Sequence, residues 1–178
     1  MYINNSSRLS YQLMDDSDES LLFELDQDPK VMHYINGGKP STIKDIKEIY
    51  IPRMLSYTNP NKGWGLWKVC QTENGEFIGW ILVRPMDFFG DNPQLDNLEL
   101  GWRFMQNSWG HGYATEAALS IMNALISHKS ATKYTALAVP DNLASIAIMK
   151  KLGMKFIKKE IHKDPLGDLM AEYYGLTV

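Results

Sequence analysis

The chain is poor in nearly everything that marks a specialised protein class. One cysteine, Cys70, among 178 residues leaves no partner for an intramolecular disulfide and no Cys-x-x-Cys pair for metal or redox work. The four histidines, at 33, 111, 128 and 162, are scattered without a ligand spacing such as His-Glu-x-x-His, so no metal is expected. No uninterrupted apolar run approaches the ~20 residues that span a bilayer. The opening MYINNSSRLSYQLMDD lacks a basic stretch followed by an apolar one, so no secretory signal is read. Basic residues do not exceed acidic ones: 18 against 21, a formal charge of −3, which leaves no electrostatic footprint for nucleic acid. What remains is ordinary, 44% apolar and 22% charged, and long enough to bury one core. A single soluble, cytoplasmic domain over 1–178 is expected, monomeric or homodimeric, with neither membrane nor nucleic acid as partner.

Patterning supplies the elements. Residues 8–14 alternate as a first strand, and Asp-Asp-Ser-Asp-Glu-Ser offers acidic caps to a helix over 17–35. Pro29 should divide that helix into two pieces. Ser41 or Thr42 caps a second helix, which Pro52 ends or kinks. Strand-like runs at 64–72 and 76–84 flank Asn74-Gly75, a strong hairpin signal. A polar loop over 85–97 precedes a strand at 98–105. Ala114, Ala117, Ala118, Ile121, Met122 and Leu125 form one helical stripe within 113–128. A strand at 133–139, a short helix at 144–152 stopped by Gly153, and two closing strands complete the chain. The order predicts an α+β fold: a mixed central β-sheet of about seven strands flanked by helices.

Chemistry concentrates in Trp109-Gly110-His111-Gly112-Tyr113-Ala114-Thr115-Glu116, between a strand and a helix. Glycines allow a tight turn and close approach of a ligand to the backbone, and free amides at a helix start attract anions. A Walker A loop needs Gly-Lys-Ser/Thr, which is absent. A dinucleotide fingerprint wants a small residue at Thr115 and an acid ~20 residues on. No Asp or Glu lies between Glu116 and Asp141. A plain tight turn is the alternative that the glycines alone leave open.

The wider segment, LELGWRFMQNSWGHGYATEAA over 98–118, resembles the coenzyme motif R/Q-x-x-G-x-G/A of the GCN5-related N-acetyltransferase (GNAT) superfamily, and within it the ribosomal-protein N-acetyltransferase group. Asn142-Leu143-Ala144-Ser145, thirty residues after Gly112, and Lys151-Leu152-Gly153-Met154 resemble a second family motif, N-x-x-S followed by K-L-G-F. Departures are visible. The leading R/Q falls on Asn107, the last aromatic is Met154, and Met149 stands where many members carry a tyrosine general acid.

The resemblance implies acetyl-CoA as cosubstrate, with no metal. It implies that the amides of Gly110, His111, Gly112, Tyr113, Ala114 and Thr115 hold the pyrophosphate. Trp102, Arg103 and Phe104 would pair with the pantetheine arm as an added strand. Asn142 would bond that arm, although an Asn at a helix start is also a favoured N-cap. Ser145 would act at the thioester sulfur or belong only to the cap, and His111 would touch phosphate or simply sit exposed.

The implied reaction is direct attack of a neutral amine on a thioester carbonyl, which needs a proton acceptor and stabilisation of the departing charge. Glu99 is the expected general base; its alternative is a strand residue solvated or paired with Arg103. Glu160, His162 and Asp164 could also reach the acceptor, and Glu116 more simply complements the helix dipole. Cys70, without a nearby histidine, argues against an acyl-enzyme. A protein N-terminal α-amine is the leading acceptor. The alternatives are a small amine such as a polyamine or aminoglycoside, or a non-catalytic coenzyme-A-binding sensor.

Overall fold

The structure, a computed structural model, describes Met1–Val178. Seven strands form one sheet: β1 (Leu9–Leu13), β2 (Gly65–Gln71), β3 (Phe77–Met86), β4 (Gln94–Phe104), β5 (Lys133–Ala138), β6 (Lys155–His162) and β7 (Leu169–Thr177). Their order across the sheet is β1-β2-β3-β4-β5-β7-β6. Every neighbouring pair is antiparallel except β4 with β5.

Local chemistry explains most boundaries. Asp15 and Asp18 form a capping box ahead of α1 (Glu19–Leu25). Asp28 caps α2 (Pro29–Asn36), so Pro29 divides the two helices by starting the second, where its missing N–H costs nothing. Of the two candidate caps at 41 and 42, Thr42 serves, paired reciprocally with Asp45 at the start of α3 (Ile43–Asp45). A π-helical turn over Ile46–Tyr50 leads into α4 (Ile51–Tyr57), so Pro52 is absorbed at a helix start rather than ending the run. The expected loop over 85–97 is shorter than read. β3 continues through Pro85 to Met86 and β4 begins at Gln94. Pairing of β3 with β2 stops at Val83 and a bulge follows Pro85, so the proline interrupts no central ladder. The last helices are α5 (Tyr113–Ser127) and α6 (Leu143–Lys151).

One sheet face carries Leu9, Tyr11, Val69, Ile81, Leu98 and Leu100 against α5 and α6, in the largest of three buried clusters. On the other face Leu66 and Leu82 pack with Ile46, Ile51 and Met54 beneath α3 and α4. No helix is long and apolar enough to cross a membrane.

The feature that makes a site is the gap between β4 and β5. They pair only at Asn97–Lys133, Leu98–Tyr134 and Glu99–Thr135. Beyond Glu99, β4 stays bonded to β3 as far as Phe104, while β5 follows β7. One edge of Leu100–Phe104 therefore faces no strand.

Candidate active site

The glycine turn lies at one end of this gap. Gly110 and Gly112 both adopt left-handed backbone, φ +80° and +78°, and Gly112 is the cap of α5. A side chain there would be strained. The first bond of the helix runs from the Glu116 amide to the Gly112 carbonyl. The amides of Gly110 through Thr115 therefore have no acceptor within the protein, as an anion cradle requires. The His111 ring stacks on Tyr113 at 5.5 Å, and its Nδ1 stands 3.4 Å from the Ser108 carbonyl oxygen.

Arg8, which sequence reading passed over, braces the turn from β1's approach. Its Nη1 donates to the His111 carbonyl (3.1 Å), and its guanidinium lies 4.5 Å from the Tyr113 ring centre. Glu116 accepts from Arg8 Nε (2.7 Å), the Arg8 amide (3.1 Å), Ser6 Oγ (2.7 Å) and Ser7 Oγ (3.2 Å). Burial alone would raise the Glu116 carboxyl; the bonds from Ser6 and Arg8 outweigh it and hold it below the usual range.

On the opposite lip, Asn142 caps α6: its Oδ1 accepts the Ser145 amide at 3.1 Å. The cap uses the Ser145 backbone, so the hydroxyl is not part of it. Ser145 Oγ instead accepts from Trp102 Nε1 at 3.2 Å, a side-chain link across the gap between β4 and α6. With that acceptor position filled, the Ser145 hydroxyl proton remains available. Of the three strand residues expected beside the coenzyme, Phe104 is a core side chain and contributes only its backbone edge. Arg103 faces the other side of the sheet, where it pairs with Asp26 and lies over Trp80.

That pairing corrects one alternative for Glu99. Its partner is Arg84 across the β3–β4 ladder, not Arg103. Arg84 Nε donates to Glu99 Oε2 (2.7 Å) and Nη2 to Oε1 (3.2 Å), with both residues under a tenth exposed. Glu99 is thus neither solvated nor free in the resting protein. Glu99 and Arg84 form the floor of a cleft of about 580 Å³ on the α3–α4 side of the sheet. Phe88, Phe89 and Tyr173 give it aromatic walls, and five carboxylates line it against two cations, Arg84 and Lys163. The anticipated Glu160, His162 and Asp164 all lie here, Asp164 paired with Arg53 of α4. Beneath, Tyr57 has its hydroxyl pushed up to about 12 by burial.

The segment between β1 and β2 ties both lips together. Asp26, after α1, holds Arg103 on β4, and Tyr34 of α2 donates to the Asp141 carbonyl after β5 at 3.2 Å. Sequence reading missed Arg8, Asp26 and Arg84 because each acts only through a distant partner. For Arg84 the one available signal was strand register, which the misread loop obscured.

Comparison with known proteins places this architecture. A GNAT acetyltransferase domain model matches residues 8–155. The chain belongs to the GNAT acetyltransferase family. It is 32% identical over 160 residues to the uncharacterized protein YkkB of Bacillus subtilis, covering 86% of this chain and 85% of that one. It is 26% identical over 162 residues to an Aspergillus fumigatus protein named FsC-acetyl coenzyme A-N(2)-transacetylase, covering 89% and 67%. The structure of RimL, a ribosomal L7/L12 alpha-N-protein acetyltransferase in complex with coenzyme A, shares the fold: TM-score 0.76, 11% identity, 100% and 98% coverage.

Proposed function

We propose that this protein transfers the acetyl group of acetyl-CoA directly to a primary amine of a small, cationic acceptor. The observation that carries the reading is the meeting of two features at the β4–β5 gap: unpartnered amides at 110–115 on one side, and an acidic cleft on the other.

In this reading the amides of Gly110–Thr115 and the dipole of α5 take the pyrophosphate. The free edge of Trp102–Phe104 and the unengaged Nδ2 of Asn142 bond the pantetheine amides. The Trp102–Ser145 link aims the serine hydroxyl at the sulfur, where donation strengthens as negative charge develops. Burial pushes the Cys70 thiol up, which makes it a poor nucleophile and favours a ternary complex over an acyl-enzyme.

The resemblance to the ribosomal-protein group favours a protein N-terminus as acceptor; the cleft favours a smaller molecule. Its volume lies within the ~300–1,000 Å³ of small-ligand sites. A lone α-ammonium needs one carboxylate, whereas this lining carries five, of which Asp87 and Asp91 have no cation partner, which suits a polyamine or amino sugar.

Thiol release from acetyl-CoA, followed over a panel of di- and polyamines, amino sugars and short peptides with free N-termini, tests both levels. Polycationic small amines should give the highest kcat/KM, with rates falling as salt rises. Turnover confined to peptides would reverse the acceptor assignment. Tight acetyl-CoA binding without turnover of any amine would leave a coenzyme-binding sensor.

A further inference from the structure

One buried titratable pair in the cleft wall has no part in the scheme so far. His162 ends β6 and Tyr173 lies in β7; His162 Nδ1 and Tyr173 Oη are 2.9 Å apart, and both residues are under a tenth exposed. Strand register locates them. Tyr173 faces Leu137 of β5, two residues past Thr135, where pairing with β4 ends. Since residues two apart share a face, Tyr173 lies on the Glu99 face, just beyond the start of the gap. His162, Tyr173 and Glu99 line the same cleft. Glu99 already gives both oxygens to Arg84, whereas one ring nitrogen of His162 has no partner.

We infer that His162, oriented by Tyr173, takes the proton from the acceptor ammonium, and that Glu99 with Arg84 forms the charged floor beside it. This rests on the acetyl-transfer reading and supplies its missing base. Tyr173 suits the orienting role. Burial, then Glu160, Asp87 and Glu99, push its hydroxyl up to about 12, so it stays a neutral phenol at working pH. The required tautomer has Nδ1–H donating to Tyr173 Oη and the lone pair on Nε2.

The balance of the step is simple. An ammonium gives one proton to Nε2, leaving a neutral amine and an imidazolium. The amine nitrogen bonds to the thioester carbonyl carbon, and the carbon–sulfur bond breaks with its electron pair on sulfur. The surplus proton on nitrogen reaches that sulfur through the Ser145 hydroxyl, and the imidazolium returns its proton to water. Charged groups face the ring from every neighbouring element. On β6 itself Glu160 pairs with Lys158 at 2.5 Å, and Lys158 also lies 4.7 Å from the Tyr173 ring centre. From β3 and β4 the Arg84–Glu99 pair faces the cleft, joined by Asp87 and Asp91 of the intervening loop. Beyond β6, Asp164 pairs with Arg53 of α4, and Lys163 is the remaining cation.

The test is the pH dependence of kcat/KM over about pH 6–9 for wild type, His162→Asn and Tyr173→Phe, beside acetyl-CoA affinity and NMR titration of the His162 ring. His162→Asn should lose at least about 100-fold in kcat/KM, with the acid limb abolished and acetyl-CoA affinity kept. Tyr173→Phe, which keeps the packing, should lose less and shift the limb. The wild-type ring should titrate at the midpoint of that limb. A folded His162→Asn enzyme with near wild-type rate and an intact limb would overturn the proposal. If that variant fails to fold, a ring that does not titrate with the limb, or a Tyr173→Phe limb left in place, overturns it equally. Wild type that binds acetyl-CoA but acetylates no amine would instead defeat the acetyl-transfer reading, and this inference with it.

Discussion

Arg8 and Glu116, 108 residues apart in the chain, form a clasp that fastens the start of β1 to the first turn of α5. The Arg8 Nη2–Glu116 Oε2 distance is 2.6 Å, and the same guanidinium holds the His111 carbonyl. The arrangement answers an electrostatic difficulty. A carboxylate in the first turn suits the helix dipole but repels a phosphate bound at the same amides, and Arg8 neutralises it.

Arg8→Gln should therefore weaken acetyl-CoA binding by roughly tenfold, about 1.4 kcal/mol. Adding Glu116→Gln should recover most of that loss, because the repelling charge goes with its partner. Calorimetry on the four proteins of this cycle measures it; a double variant as weak as Arg8→Gln would show that Arg8 touches the phosphates itself. The pH effect has a definite sign. The Glu116 carboxyl is lowered in the fold, so its stabilisation is complete above the unfolded value and fades as pH falls through the lower native one. Melting curves of Glu116→Gln should be flatter than wild type across that acidic window.

Gly112→Val meets two obstacles. The residue would sit at φ +78°, at a cost of about 1–2 kcal/mol, and its side chain would enter the approach to the cradle. Gly112→Asp adds a negative charge there. Both should remain folded, since a Cβ meets only Arg8 Nη2 at 3.8 Å, but bind acetyl-CoA too weakly to measure. Wild-type affinity in folded Gly112→Asp would remove the turn from the binding site.

Glu99→Gln separates a base from a structural anion. Breaking a buried pair by removing one partner costs about 3–5 kcal/mol, and glutamine, keeping one acceptor oxygen, should fall at the low end. With His162 as base, kcat should fall by less than about tenfold while Tm drops clearly. A loss of 100-fold or more at unchanged Tm would return the base to Glu99, the residue the sequence favoured.

Ser145→Ala leaves the α6 cap intact, because Asn142 bonds the backbone amide. It strands Trp102 Nε1, a loss of about 1 kcal/mol, and removes the proton offered to the departing thiolate. The expected result is a kcat at least tenfold lower with Tm reduced by a few degrees. Asn142→Ala should cost about 1 kcal/mol of stability through the lost cap and weaken coenzyme binding, with a smaller effect on kcat. Full activity in Ser145→Ala would confine Ser145 to packing.

What could be read from the sequence was what neighbouring residues decide among themselves. The Asn74-Gly75 hairpin, the alanine stripe of α5, the cap at Thr42, the Gly153 stop and the glycine turn before α5 all follow from propensity, periodicity or backbone geometry within a few positions. These sufficed for the α+β class; the GNAT family was legible through the resemblance of 98–118 and 142–154 to two family motifs. Tertiary structure decided what depends on partners far along the chain. Arg84 rather than Arg103 meets Glu99 because the β3–β4 register sets Arg84 directly across from Glu99, whereas Arg103 lies further along the same strand as Glu99. Arg8 reaches Glu116, and Tyr173 meets His162 beside the gap, only because non-neighbouring strands and helices close around one sheet. Electrostatic partners act through space at a few ångströms, and separation along the chain carries no trace of that distance.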